Sequence, residues 1–213
     1  MKKRGSFVFF FALTSILFIE LFAQNKVNLQ EIYQLKINRT TESIKVDGSL
    51  DEEVWKSSQV ATDFWVSFPV DGVRASRELN TTVRITYDDE FIYVAAECIG
   101  PGPYIIQSLK RDIPLFWRGD TFGLVFDPVN ERSNGFVFAV NPEAVQHEAL
   151  ITGQTGRRGN NGSSNGINRA WDNKWYSEVQ ILEDRWTVEM AIPFKSLRFG
   201  DKLEWGVNFL RSD

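Results

Sequence analysis

Strict alternation is the feature of this chain that most restricts its fold. From Thr81 to Tyr87, the residues Val83, Ile85 and Tyr87 fall on one side and Thr82, Arg84 and Thr86 on the other. Successive side chains of a strand point to opposite faces, so a period of two specifies a strand where 3.6 would specify a helix. Asp88-Asp89-Glu90 follows, and Phe91 to Ala96 reads as the returning arm. Asp side chains bond the nearby backbone and tolerate turn geometry, which makes this a hairpin. The pattern recurs with Tyr176 to Leu182, a Glu183-Asp184 turn, and Trp186, Val188, Met190 and Ile192 as an inward row. Pro193 ends that arm, having no N–H for a ladder. Further strands are predicted at Leu35 to Arg39, Ser43 to Val46, Ile105 to Leu109, Thr121 to Phe126, Gly135 to Val140 and Leu203 to Leu210.

Helix is scarce. Leu50 to Ser57 fits one or two turns, with Ser49 as N-cap and Glu52 as its capping-box partner. Phe194 to Leu197 fits one more. Many short strands with turns between them predict an all-β fold, an antiparallel, jelly-roll-like β-sandwich with one or two short helical turns. A chain of this length can bury a sizeable core in that form.

Composition removes several classes of function. Of 213 residues, 43% are hydrophobic and 24% charged, which excludes wholesale disorder. One Cys and one His exclude a Cys/His zinc site and an internal disulfide, and any His-based triad would have to run through His147. No GxSxG elbow accompanies it. Cys98 reads as an inert buried thiol. The formal charge of −4 argues against nucleic acid as a partner, because phosphate contacts need a basic face.

The N-terminus reads as an address. Lys2, Lys3 and Arg4 precede an almost unbroken apolar run from Gly5 to Ile19, and Ala23 offers a small residue for cleavage. This is the layout of a secretory signal peptide over residues 1–23. The alternative is an uncleaved anchor, but a spanning helix needs about 20 apolar residues and Glu20 interrupts the run. Residues 24–40 then form a lead-in and first strand, and 41–213 the folded domain. Export places it in the periplasm, the outer membrane or outside a bacterial cell. Gly153 to Gly166 has no apolar residue apart from its glycines and reads as a long loop between strands. A lid is the functional alternative, since loops of this length are uncommon in compact domains. The Gly-Lys-Ser/Thr of a phosphate loop is absent from it.

Several motifs occur together in order. Asp47-Gly48-Ser49-Leu50-Asp51-Glu52 with Trp55 resembles the opening DG-x-LDE-x-x-W of the family 9 carbohydrate-binding modules. Tyr87-Asp88-Asp89 with Tyr93-Val94 is similar to that family's first hairpin. Arg111-Asp112, Asp120 and Phe126-Asp127 are similar to its middle strands, and Phe136 to Pro142 to its "vNp" strand. Trp171-Asp172 with Trp175, Trp186 to Leu197, and Trp205 to Phe209 with Arg211 complete the set. The resemblance spans Ile44 to Arg211. It is nearest to the variant that precedes a transmembrane barrel in certain bacterial outer-membrane proteins. It implies a β-sandwich that binds sugar, often holds calcium, is not catalytic, and is frequently attached to hydrolases of plant polysaccharides.

Sugar rings have apolar faces and polar edges, so a binding site wants flat aromatic surfaces with hydrogen-bonding groups at the rim. Trp55, Trp186 and Trp205 lie in apolar patterns and read as core. Trp65, Trp117, Trp171 and Trp175 lie in polar, turn-rich surroundings and are the stacking candidates. The resemblance implies a sugar held between two Trp rings. Trp175 with Asp172 matches one side, and Trp65 or Trp117 the other. Arg111, Asp112, Asp120 and Asn141 are candidate edge donors and acceptors. Alternatively, Arg111 and one Asp form a structural ion pair, since buried charges need partners. No cofactor is required. Structural calcium is implied by the resemblance, and Asp47, Asp51, Asp88, Asp89 and Asp127 could contribute oxygens at turns.

Three functions stay open. The first is a glycan-binding module acting in polysaccharide catabolism beside a glycoside hydrolase or an outer-membrane protein. The second is a structural or interaction domain serving a C-terminal β-barrel without binding sugar, any membrane contact running through that attached domain. The third is a glycoside hydrolase drawing on Asp112, Asp120 and Glu148, which would need two carboxylates facing one bond.

Overall fold

The computed structural model describes residues 33–69, 71–114, 116–153 and 166–213, and Lys36–Asp213 cluster as one unit. In chain order the strands are β1 (Asn38–Arg39), β2 (Trp65–Val66), β3 (Val73–Arg74), β4 (Thr81–Tyr87), β5 (Phe91–Ile99), β6 (Thr121–Asp127), β7 (Gly135–Val140), β8 (Gln146–Ile151), β9 (Ile167–Asn168), β10 (Tyr176–Ile181), β11 (Arg185–Pro193) and β12 (Gly206–Ser212). Among the described residues one short α-helix, α1, spans Glu53–Ser57.

The two hairpins expected from alternation form, and then pair with each other. β4 and β5 place Val83 opposite Ala96 and Ile85 opposite Val94. β11 runs antiparallel to β5 along its whole length. The resulting sheet has the order β1-β4-β5-β11-β10, and a second sheet has the order β12-β6-β7-β8-β9. All these pairs are antiparallel except β1 with β4.

Register explains the core. Trp186, Val188, Met190 and Ile192 stand beside Cys98, Ala96, Val94 and Ile92, and all are buried. On the second sheet, Phe122, Leu124 and Phe126 stand beside Val140, Phe138 and Phe136. Two contacts show that these rows face each other. Arg211 on β12 donates to the Leu79 carbonyl and to Thr81 Oγ1 at the start of β4, and Gln146 on β8 donates to Ser177 on β10 at 3.0 Å. The sheets therefore pack as a sandwich. Burial pushes the Cys98 thiol up to about 12, as befits an inert core residue. Trp55 and Trp186 are buried as expected, while Trp205 is half-buried among Phe126, Phe194 and Phe199.

The outer face of the first sheet is covered by residues 44–58. Trp55 sits on Tyr93, Ala95 and Ala191, ringed by Ile44, Val46, Leu50 and Val54. Ile44 and Val46 alternate like a strand, yet Ser43 to Val46 joins no ladder, because the Lys45 N–H bonds Glu52 Oε1 at 3.1 Å instead. The helix is also shorter than expected. It starts at Glu53, and its first N–H groups are taken not by Ser49 but by Glu42, at 3.2 and 2.9 Å. Ile105 to Leu109 is irregular, since the Ile105 N–H goes to Asp120 Oδ2 at 2.6 Å. β2, β3, β8 and β9 lie outside the predicted strand ranges, although His147 in β8 reads as a strand residue beside the glycine-rich stretch. Residues 1–23, which read as a signal peptide, and 154–165 of the glycine-rich stretch lie outside the described residues.

The outer face of the second sheet is covered by the connection from β5 to β6. Trp117 seats over Gly123, where a Cβ would come within 2.8 Å of the indole and 2.6 Å of Ala139. Phe116 stacks on the His147 ring at 4.8 Å.

Candidate functional site

One corner of the sandwich collects polar side chains from three parts of the chain. β9 pairs with Leu150 and Ile151, and among the described residues no strand pairs with the first half of β8 on that edge. The Glu148 N–H on that edge is taken by Asp112 Oδ1 at 2.8 Å. Asp112 sits in the left-handed region, at φ 56°, a conformation that Asp tolerates better than most residues. Its Oδ1 also lies 3.6 Å from His147 Nδ1. Burial holds the His147 pKa below the usual imidazole value, against the pull of Asp112.

The Glu148 side chain points to the other face and is fully buried. Oε1 accepts the Asn173 N–H at 2.7 Å, and Oε2 accepts the Trp175 indole N–H. Arg111 Nη2 lies 3.2 Å from Oε2. Burial raises the Glu148 pKa above the ordinary carboxyl value, with these donors and Arg111 pulling the other way. Arg111 also lies 3.8 Å from both Asp112 and Asp172.

Outside this anchor is a cleft of about 310 Å³ lined by Arg111, Gln146, Asp172, Asn173, Lys174 and Trp175. It shares Gln146 and Trp175 with a depression of about 490 Å³, whose floor includes Ile44, Val46, Phe91, Tyr93, Tyr176 and Ala191. Tyr176 is exposed, with the Lys174 ammonium 5.4 Å over its ring. A polar cleft beside an aromatic and aliphatic floor can accept a ligand with hydroxylated edges and apolar faces.

Arg111, Asp112, Asp172 and Trp175 thus come together, and Trp171 packs beside them on Phe136 and Phe138. Trp175 is only 4% exposed and meets Phe138 edge-on, so it walls the cleft and presents no open ring face. The other candidates lie elsewhere. Trp65, 50% exposed, is on the β2–β3 hairpin with Arg74 4.0 Å over its ring. That hairpin belongs to the β4 and β12 side, through the Ala61–Val83 bridge and the Phe64–Phe209 contact, whereas Trp175 borders β8 and β10. Trp117 is half-buried over Gly123. Asp120 and Asn141 are buried and accept from their own loops, Asp120 from Ile105 and Asn141 from Glu143 and Val145.

Gln146, Asn173, Lys174 and Tyr176 were missed by sequence reasoning. Asn173 and Lys174 stand between Asp172 and Trp175, and that adjacency was the available signal. Gln146 carries no comparable one. Asp112, Asp120 and Glu148, the carboxylates of the hydrolase reading, accept the backbone N–H groups of Glu148, Ile105 and Asn173 respectively. Four of the five aspartates considered for calcium have partners near their turns. Asp47, Asp88 and Asp127 accept N–H groups of their own turns and Asp89 pairs with Arg39. Among the described residues no group of three acidic, His or Cys side chains is placed to hold a metal ion.

Comparison with known families matches residues 46–213 to the carbohydrate family 9 binding domain-like family. The chain belongs to that family. Two solved structures share the fold of this family 9 domain. One is a family 9 carbohydrate-binding module from Caldicellulosiruptor kristjanssonii in complex with glucose, with a TM-score of 0.56 and 16% identity over 84% of this chain and 78% of that one. The other is a family 9 module from the same organism in complex with cellotriose, with a TM-score of 0.52 and 18% identity over 81% and 74%. No curated protein matches this chain.

Proposed function

We propose that this family 9 domain is a non-catalytic glycan-binding module whose ligand enters at the Trp175 corner. The observation that carries the reading is the cleft itself. Arg111, Gln146, Asp172, Asn173 and Lys174 ring one indole wall and open onto the Tyr176 and Phe91 floor. Family membership and the sugars in the two solved structures support it. Arg111, Asp172 and Asn173 would bond hydroxyls at the sugar edge, and the aromatic floor would take its apolar face.

The basic and then apolar N-terminus would export the domain. Outside the cytoplasm it would hold an attached hydrolase or outer-membrane protein against polysaccharide. The N-terminal pattern supports the export, and the family resemblance supports the attachment.

Calorimetric titration with cellotriose tests the binding. The intact domain is expected to bind, and Arg111→Ala to bind about tenfold more weakly, the typical loss for one hydrogen bond to a charged group. A glycan array with no bound member would rule the reading out. It would favour the second reading, a scaffold domain without sugar binding, to which the burial of Trp175 and the seating of Trp117 over Gly123 lend support.

A further inference from the structure

We infer that Glu148 is the positioning residue of this cleft: one buried carboxylate fixes the wall residues Arg111, Asn173 and Trp175 in the arrangement a glycan meets. The inference rests on the glycan reading and deepens it. Arg111 comes from the β5–β6 connection, and Asn173 and Trp175 from the β9–β10 connection. Glu148 receives a donor from each of the three. It can serve as a reference point because its own backbone is held twice. β8 pairs with β7, with Phe138 opposite Glu148, and Asp112 takes the free N–H.

The arrangement is strongest with the ionised acid, since a proton on either oxygen weakens the charge-assisted bonds from Asn173, Trp175 and Arg111. Burial favours that proton, and so does the hydrogen bond it can make to Asp172, so it arrives at a pH where surface glutamates are still charged. The charged and titratable groups around Glu148 are Arg111 and Asp112 on one connection and Asp172 and Lys174 on the other. His147 also neighbours it on β8, with its ring on the opposite face against Phe116. Glycan affinity should therefore fall as pH falls, and the Trp175 indole N–H should report the same event.

The experiment follows cellotriose affinity from pH 7.5 to 4.5. In parallel it follows the Trp175 indole N–H resonance in the unliganded domain, assigned with Trp175→Phe. In the native domain the affinity is expected to drop about tenfold, the typical loss for a charge-assisted hydrogen bond, with the resonance moving at the same midpoint. Glu148→Gln keeps the size but presents an NH2 where donors converge. It should bind about tenfold more weakly at pH 7.5, with a flat profile below. If that variant does not fold, the shared midpoint in the native domain decides. Affinity that ignores pH, or that changes while the Trp175 resonance stays still, overturns the role of Glu148 and leaves the glycan reading standing. Absence of cellotriose binding at every pH, with no member bound on a glycan array, overturns both.

Discussion

Glu189 on the outer face of the first sheet and Glu148 at the edge of the second are both sealed from solvent. Each takes a Trp indole N–H and backbone N–H groups onto its carboxylate. Glu189 accepts from Trp55 Nε1 at 2.9 Å and from the Asp47 and Gly48 N–H groups at 3.0 Å. Glu148 accepts from Trp175 and Asn173, with Arg111 alongside. What differs is the segment brought down onto the anchor. Between its donors, the 47–55 segment carries Leu50 and Val54, and these close the sheet under an apolar plug. The 172–175 segment carries Asp172, Asn173 and Lys174, and the surface stays open as a cleft. The same anchoring chemistry seals one face and shapes a site on the other.

Removing the closed anchor should do the most damage. Glu189→Ala leaves the Asp47 and Gly48 N–H groups without their acceptor and the Trp55 indole N–H with Glu52 alone, and is expected to lower unfolding free energy by about 2–4 kcal/mol in a denaturant titration. Gly48 makes a substitute contact hard to reach. At φ +81°, its Cβ position lies 2.8 Å from β10 backbone atoms, so the loop is already seated as close as it can be. A loss below about 1 kcal/mol would break the comparison, because the plug would then hold without its glutamate.

Acidity separates the two anchors next. Burial pushes the Glu189 pKa up to about 7. A folded-state value above the unfolded one means that the folded state holds the proton longer. Its stabilising contribution is present below the ordinary carboxyl pKa and is lost as pH rises through about 7. The loss amounts to about 3 kcal/mol between pH 4.5 and 7.5, and Glu189→Gln should flatten it. Glu148 shifts stability in the same direction, yet glycan affinity should rise over the same range. Thermal unfolding and cellotriose titration on one pH series should therefore run in opposite senses. If they run in parallel, the two anchors are doing the same job.

How much of this was legible in the chain follows from how local each cause is. The β4–β5 and β10–β11 hairpins carry their own turns and an alternating apolar row, so each could be read directly, whereas their joining through β5 and β11 could not. The segment from Asp47 to Trp55 was recognisable only by resemblance. Its physical reason is Glu189, 142 residues from Asp47. Ile44 and Val46 alternate as a strand would, but their partner is a helix residue and not a ladder. At the site, Asp172 and Trp175 are near neighbours in the chain, so their pairing was visible. Whether Trp65 or Trp117 would face Trp175 depended on sheet order, which places the Trp65 hairpin on the opposite side of the sandwich and Trp117 over Gly123. Glu148 sits in a strand with a half-open edge, where no periodicity marks it as the point on which two connections meet.

The smallest expected effect on stability is also the sharpest test of the contrast. Asp172 is 84% exposed and 3.8 Å from Arg111, so its ion pair is a surface contact. Asp172→Asn should change unfolding free energy by no more than about 0.5 kcal/mol. It keeps a hydrogen-bonding side chain at the cleft edge but removes the charge that helps aim Arg111. Cellotriose affinity is therefore expected to fall a few-fold while the denaturation midpoint stays put. A domain destabilised by this change as it is by Glu189→Ala would mean that the Glu148 corner is a second plug, closed by polar residues where the first is closed by apolar ones.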